Sequence, residues 1–169
     1  NHVNGGSCRV FITHKENNWG ESENLRKLYQ EEIEMDLYNV KTYADFWKKI
    51  TDLRDIVVGL IKKEISKGNL ILGLGASTKG NVLLQLFGIT KEMLPYISER
   101  NPEKVGLKTL GTDIELISEE RARELKPSYM LVLPWYFKEE IVKREKDYFE
   151  QGGKLLFPMP YPHFVSKDG

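Results

Sequence analysis

The residues best suited to chemistry stand together at Gly75-Ala76-Ser77-Thr78-Lys79-Gly80-Asn81. An apolar run, Leu70, Ile71, Leu72 and Leu74, leads into them, and Val82, Leu83, Leu84, Leu86 and Phe87 follow as far as Gly88. A buried strand that feeds a helix through small residues leaves backbone N–H groups open at the helix start, and these attract phosphate or another anion. Ser77 and Thr78 add hydroxyls and Lys79 adds a positive charge at the same spot. Neither familiar nucleotide pattern is complete. The dinucleotide pattern needs a third glycine where Thr78 stands, and the ATP/GTP pattern needs Lys and Ser/Thr where Asn81 and Val82 stand. The turn reads as Rossmann-like and anion-friendly; the alternative is that its glycines only let the strand turn tightly into its helix.

The elements that must position this turn follow from periodicity. Cys8 to His14 is rich in β-formers and reads as a short strand. Ser22 suits the N-cap of a helix running to about Met35, with Leu25, Leu28, Tyr29 and Ile33 on one face. A longer helix is expected from Tyr43 to about Ser66, its stripe of Tyr43, Phe46, Trp47, Ile50, Leu53, Val57, Leu60 and Ile61 reading as core, with Gly68 as its C-cap. From Asn69 strands and helices alternate. Strands are expected at Leu94–Ser98, Asp113–Ile117, Tyr129–Leu133 and, last, Lys154–Phe157; helices start at Ser118 and run from about Phe137 to Glu150. Such β-α units predict an α/β fold: a Rossmann-like, mostly parallel sheet with helices on both faces, preceded by a helical segment. The expected division is 1–14, 15–68 as helical linker and long helix, and 69–169 as the Rossmann-like domain.

Ligands of such sheets lie at the carboxyl ends of the strands. The segments there offer Lys79, Arg100 and Lys104 as cations, Asn81 and Asn101 as amides, and Trp135 as an apolar platform. That set suits a phosphorylated ligand with a flat or sugar-like part. The competing reading makes Arg100 and Lys104 an ordinary solvated turn and Trp135 core or lid packing.

Composition narrows the classes. Acidic and basic residues balance at 25 each, so nothing global argues for nucleic acid or an anionic membrane. No apolar run approaches the ~18 residues of a membrane span. The single cysteine, Cys8, excludes an internal disulfide and fits a reducing, cytoplasmic compartment. His2, His14 and His163 lie far apart and lack metal-ligand spacing, so no metal site is expected. Ser7 and Ser77 belong to glycine turns, not to a G-x-S-x-G elbow, so no catalytic nucleophile is assigned.

Six blocks, in order, resemble the C-terminal domain of the SAM-dependent sugar C-methyltransferases. They are Gly5-Gly6-Ser7 with Arg9, Gly75 to Asn81, Arg100-Asn101-Pro102 with Lys104 and Gly106, Gly111-Thr112, Leu133-Pro134-Trp135, and Gly152-Gly153-Lys154. Asn4 and Glu99 depart from the family's usual His and Asp at those places. The resemblance implies an N-terminal zinc-binding domain and a middle SAM-binding domain upstream, with residues 1–14 as the latter's tail strand. It implies that this chain holds a nucleotide-linked sugar, or a similar small methyl acceptor, against that SAM-binding domain. Gly75, Ser77, Thr78, Lys79, Asn81, Arg100, Asn101, Lys104 and Trp135 are then the expected substrate-binding residues. No catalytic residue and no cofactor is expected within the chain; SAM and zinc belong to the full-length protein. Two other readings stand beside this one: a self-standing nucleotide-binding Rossmann domain, and a structural or dimerising module.

Overall fold

Short, largely apolar segments of three or four residues assemble the sheet. The structure, a computed structural model, describes residues 6–17 and 19–167; His2, Asn4 and Gly5 lie outside them. The strands are β1 (Ile71–Leu74), β2 (Tyr96–Glu99), β3 (Glu115–Ser118), β4 (Tyr129–Val132), β5 (Lys154–Phe157) and β6 (His163–Val165). Their order is β3-β2-β1-β4-β5-β6, parallel throughout except for β6, which runs antiparallel on the β5 edge. This is the Rossmann order, and the chain reverses its direction of travel across the sheet between β1 and β4. Registers Leu74↔Ser98 and Leu74↔Val132 align three strand ends at that switch point.

Helices α1 (Glu23–Glu34) and α2 (Val40–Ser66) precede the sheet, and α3 (Thr78–Phe87), α4 (Glu119–Glu124), α5 (Lys138–Arg144) and α6 (Lys146–Glu150) lie between its strands. Leu72, Leu74, Met130, Val132, Leu155 and Phe157 share one core cluster with residues of α4, α5 and α6. Strand residues alternate faces, so Ile71, Leu131, Leu133 and Leu156 point the other way. All four are buried. On that side Gly80 of α3 lies so close to Leu133 that an added Cβ would stand 2.6 Å from the leucine Cβ.

Two compact units divide the chain at residues 51 and 52, inside α2. In the second unit α2 buries Leu53, Val57, Ile61 and Glu64. The Glu64 carboxylate accepts from Lys67 Nζ at 2.7 Å and from Asn69 Nδ2 at 2.8 Å, joining the end of α2 to the approach to β1. The Lys67 bond leads the effects that hold Glu64 below its ordinary value of 4.5, against the opposing pull of burial. A lowered folded-state pKa adds stability above the unfolded value and loses it as pH falls through the folded one. Glu64→Gln is therefore expected to flatten the acid limb of a plot of Tm against pH. An acid limb as steep as that of the unmodified protein would show that Glu64 contributes nothing there.

Four expectations change. Cys8–His14 forms no strand and is exposed, because no partner strand among the described residues takes up its backbone groups. In α2, Tyr43, Phe46 and Trp47 are more than half exposed, so the apolar stripe is core only from Leu53 onward. The helix expected over 137–150 is instead a 3-10 turn (Trp135–Phe137) followed by α5 and α6, which break at Glu145. That break places the Glu145 carboxylate, 3% exposed, between the Arg123 and Arg144 guanidiniums. Finally, β6 follows β5 and makes Lys154–Phe157 an interior strand.

Candidate functional site

The glycine turn is fixed from two sides. Gly75 takes a left-handed φ of +76° and lies against Pro134, where an added Cβ would meet the proline ring at 3.0 Å. Its N–H donates to the Ser98 carbonyl at 2.8 Å. Ser77 caps α3, its hydroxyl accepting from the Gly80 N–H at 3.0 Å and its carbonyl from the Asn81 N–H at 2.9 Å. The cap starts the helix at Thr78, so Thr78, Lys79 and Asn81 lie on its first turn and not in the loop before it.

The loop after β2 braces this turn. Glu99, 8% exposed, accepts the Ala76 N–H on Oε2 at 2.7 Å and the Asn101 N–H on Oε1 at 2.8 Å. Lys104 Nζ donates to the Ala76 carbonyl at 3.1 Å. Asn101 Oδ1 accepts from the Glu103 N–H at 3.0 Å and so caps the 3-10 turn Pro102–Lys104. Both peptide groups of Ala76 are thus held by residues some two dozen positions further along. The Glu99 position is where a Rossmann dinucleotide site keeps the acid that bonds a ribose hydroxyl. Here each of its oxygens accepts one backbone amide of its own chain, so the carboxylate serves as a brace for the turn.

Beside the braced turn opens a cavity of about 360 Å³. Its floor is formed by Leu74 and Ser98 at the ends of β1 and β2, and its walls by Tyr136, Phe137, Ile141 and Arg144 after β4. Ser98 is 1% exposed and its hydroxyl has no hydrogen-bond partner. A buried polar atom in that state costs free energy until something bonds to it. The side-chain oxygen of Asn81, on α3, is likewise buried and unpartnered. Arg144 bonds Glu119 at 3.3 Å and Glu145 at 2.9 Å, which fixes the guanidinium at the wall.

Of the residues expected from sequence, Gly75, Ser77 and Arg100 line this cavity. Thr78 and Lys79 are exposed on α3 outside its lining, and Lys79 Nζ stands 4.6 Å from the centre of the Tyr136 ring. Asn81, Asn101 and Lys104 lie behind or beside the turn in the roles just given. Trp135 packs against the core cluster, edge-on to Tyr136 at 5.8 Å, and the two aromatics after it line the cavity in its place. Sequence reasoning missed Ser98, Tyr136, Phe137, Glu140 and Arg144. The signal for Ser98 was available: it stands beside Glu99 at the carboxyl end of a strand, where ligands of such sheets lie.

Among the described residues no group of His, Cys, Asp and Glu is arranged to hold a metal ion, and no helix is long and apolar enough to cross a membrane. Comparison with known proteins bears on the whole chain. The profile of one family, described as C-methyltransferase C-terminal domain, matches residues 2–160. The C-methyltransferase NovU of Streptomyces niveus is 28% identical over 166 residues, which cover 98% of this chain and 40% of that protein.

Proposed function

Because this chain belongs to the C-methyltransferase C-terminal domain family, we propose that it is the substrate-side part of a SAM-dependent C-methyltransferase. In this reading it holds a nucleotide-linked sugar, or a similar small methyl acceptor, at the carboxyl ends of β1, β2 and β4. The observation that carries the reading is the cavity at the switch point, floored by the buried and unpartnered Ser98 hydroxyl. In this reading SAM is bound by a middle domain, for which residues 1–14 would be the tail strand, and zinc by a separate N-terminal domain. Thr78 stands where the dinucleotide pattern needs its third glycine, which argues against a self-standing dinucleotide-binding domain. Cys8, an exposed free thiol, suits a reducing cytoplasm.

A thermal-shift panel of SAM, NAD, UDP-glucose and TDP-glucose tests this on the isolated chain. A ligand at 100 times its Kd adds about 2.7 kcal/mol to the folded state. The nucleotide sugars are expected to raise Tm and SAM and NAD to leave it unchanged. A response to SAM or NAD alone would overturn the reading in favour of a cofactor-binding domain. Silence toward all four at millimolar concentration would favour a structural module.

A further inference from the structure

The first unit leaves its large apolar side chains in water. Among the described residues before Asp52 none is buried. The 12 residues of α1 bury nothing, and a helix that short is marginal in water without packing. Leu28, Tyr29 and Ile33 on one face of α1, and Tyr43, Phe46 and Trp47 on α2, are between 48% and 63% exposed. At 3.6 residues per turn, the three aromatics of α2 fall within the same arc of about 120° as Leu53, Val57 and Ile61, which the second unit buries. One stripe is half covered and half bare.

The bare half is built, not loose. At the corner between the helices Thr42 Oγ1 donates to the Asp36 carbonyl at 2.9 Å, and Tyr43 Oη to that of Leu37 at 2.8 Å. The Asn39 side chain donates to Asp36 Oδ2 at 2.8 Å and accepts the Lys41 N–H at 3.0 Å. Large apolar patches left bare on a soluble chain mark interaction surfaces, and Tyr and Trp are favoured anchors there.

Two occupants compete, a second copy of this chain and the remainder of its own polypeptide. Sequence position favours the second. The matched family is described as a C-terminal domain, and the match covers 40% of NovU, so the rest of such a protein lies on the N-terminal side, next to the bare residues. Val10, Phe11 and Ile12, nearer still, are β-formers more than 70% exposed and outside any strand. A domain joined directly to a surface meets it at an effective concentration of about millimolar, which a free second copy does not reach. Resting on the reading above that this chain is part of a longer methyltransferase, we propose that the apolar faces of α1 and of the first half of α2 are the seat of the domain that precedes them in the full-length protein.

Hydrogen exchange on the isolated chain and on the full-length protein tests this. In the isolated chain the amides of α1 and of residues 40–51 are expected to exchange fast beside those of β4, and the chain to sediment as a monomer. In the full-length protein the same amides are expected to exchange about a hundredfold more slowly, at every protein concentration tried. Phe46→Ser combined with Trp47→Ser is expected to leave the Tm of the isolated chain unchanged, because both rings are exposed, and to restore fast exchange in the full-length protein. Fast exchange of α1 in the unmodified full-length protein overturns the proposal. So does an isolated chain that dimerises and loses its dimer in the double variant, which gives the surface to a second copy. A full-length protein whose Tm SAM leaves unchanged would overturn the methyltransferase reading, while slowed exchange in α1 would still uphold the docking surface.

Discussion

Gly153→Ala is expected to destabilise the fold by about 3–5 kcal/mol, combining overpacking of a filled core with the loss of a buried hydrogen bond. A Cβ at Gly153 would stand 2.2 Å from Tyr148 Cε2 and 2.3 Å from Cζ, inside the ring's own contact surface. The ring cannot easily give way. It is buried, its hydroxyl donates to the Pro127 carbonyl at 2.9 Å, and the Arg123 guanidinium lies 4.9 Å from its centre. Moving it by the roughly 1 Å needed to restore ordinary contact would break the Pro127 bond and disturb the pairing of Arg123 with Glu145. At about 2–4 °C per kcal/mol for a chain of this size, Tm should fall by about 6–20 °C. Gly152→Ala is the control. Gly152 has a φ of +85° but open space around it, so its cost is backbone strain alone, on the order of 1–3 kcal/mol. A Gly153→Ala protein that melts no lower than Gly152→Ala would show that the Tyr148 ring is free to move.

The pair of glycines illustrates what was legible in the sequence. Gly152-Gly153 was readable as a helix stop, because glycine after a helical stretch marks its end whatever lies nearby. That Gly153 makes room for an aromatic ring five residues earlier depends on how α6 folds back, which spacing does not encode. The same division runs through the site. The strand, glycine turn and helix around Gly75 were evident from local pattern, and so was the sheet, since short apolar runs alternating with helical stretches leave few other arrangements. Thr78 and Lys79 stand on the helix and not in the loop before it because a Ser77 cap pulls the helix start four residues ahead of the first apolar position, Val82. Tyr43, Phe46 and Trp47 have the spacing of core residues, yet spacing states only that a face is apolar, not what covers it. Proline-rich Met159 to Pro162 masked Phe164 and Val165, the β-formers of β6. Arg144 and Glu140 read as ordinary charges of a solvated helix; only the packing of α5 beside the ends of β1 and β2 brings them to the cavity.

The candidate site depends most heavily on Glu99, which lines the cavity and braces the turn beside it. Glu99→Ala would remove the acceptor of both the Ala76 and Asn101 amides. Hydrogen bonds to a charged group contribute about 1.5–3 kcal/mol each. Asn101 is exposed, so water can replace that bond, whereas Ala76 is partly buried and its amide has less recourse. The expected loss of stability is thus about 2–4 kcal/mol, nearer one bond and a half than two. A Tm lower by about 4–16 °C would register it. Lys104→Ala releases the other peptide group of Ala76, at its carbonyl, and gives up a single bond, so its effect should be smaller, about 1–2 kcal/mol. The consequence for binding follows from position. The Gly75–Ser77 turn forms the rim of the cavity, and once Ala76 is released its backbone samples conformations that must be re-ordered before a ligand can seat. Titration of Glu99→Ala with TDP-glucose should therefore show affinity reduced by tenfold or more, and Glu99→Gln, which keeps one acceptor oxygen, a lesser reduction. A Glu99→Ala protein with the Tm of the unmodified chain would refute the brace itself. One that melts lower but binds the nucleotide sugar as tightly would leave Glu99 a structural tie and remove the turn from the site.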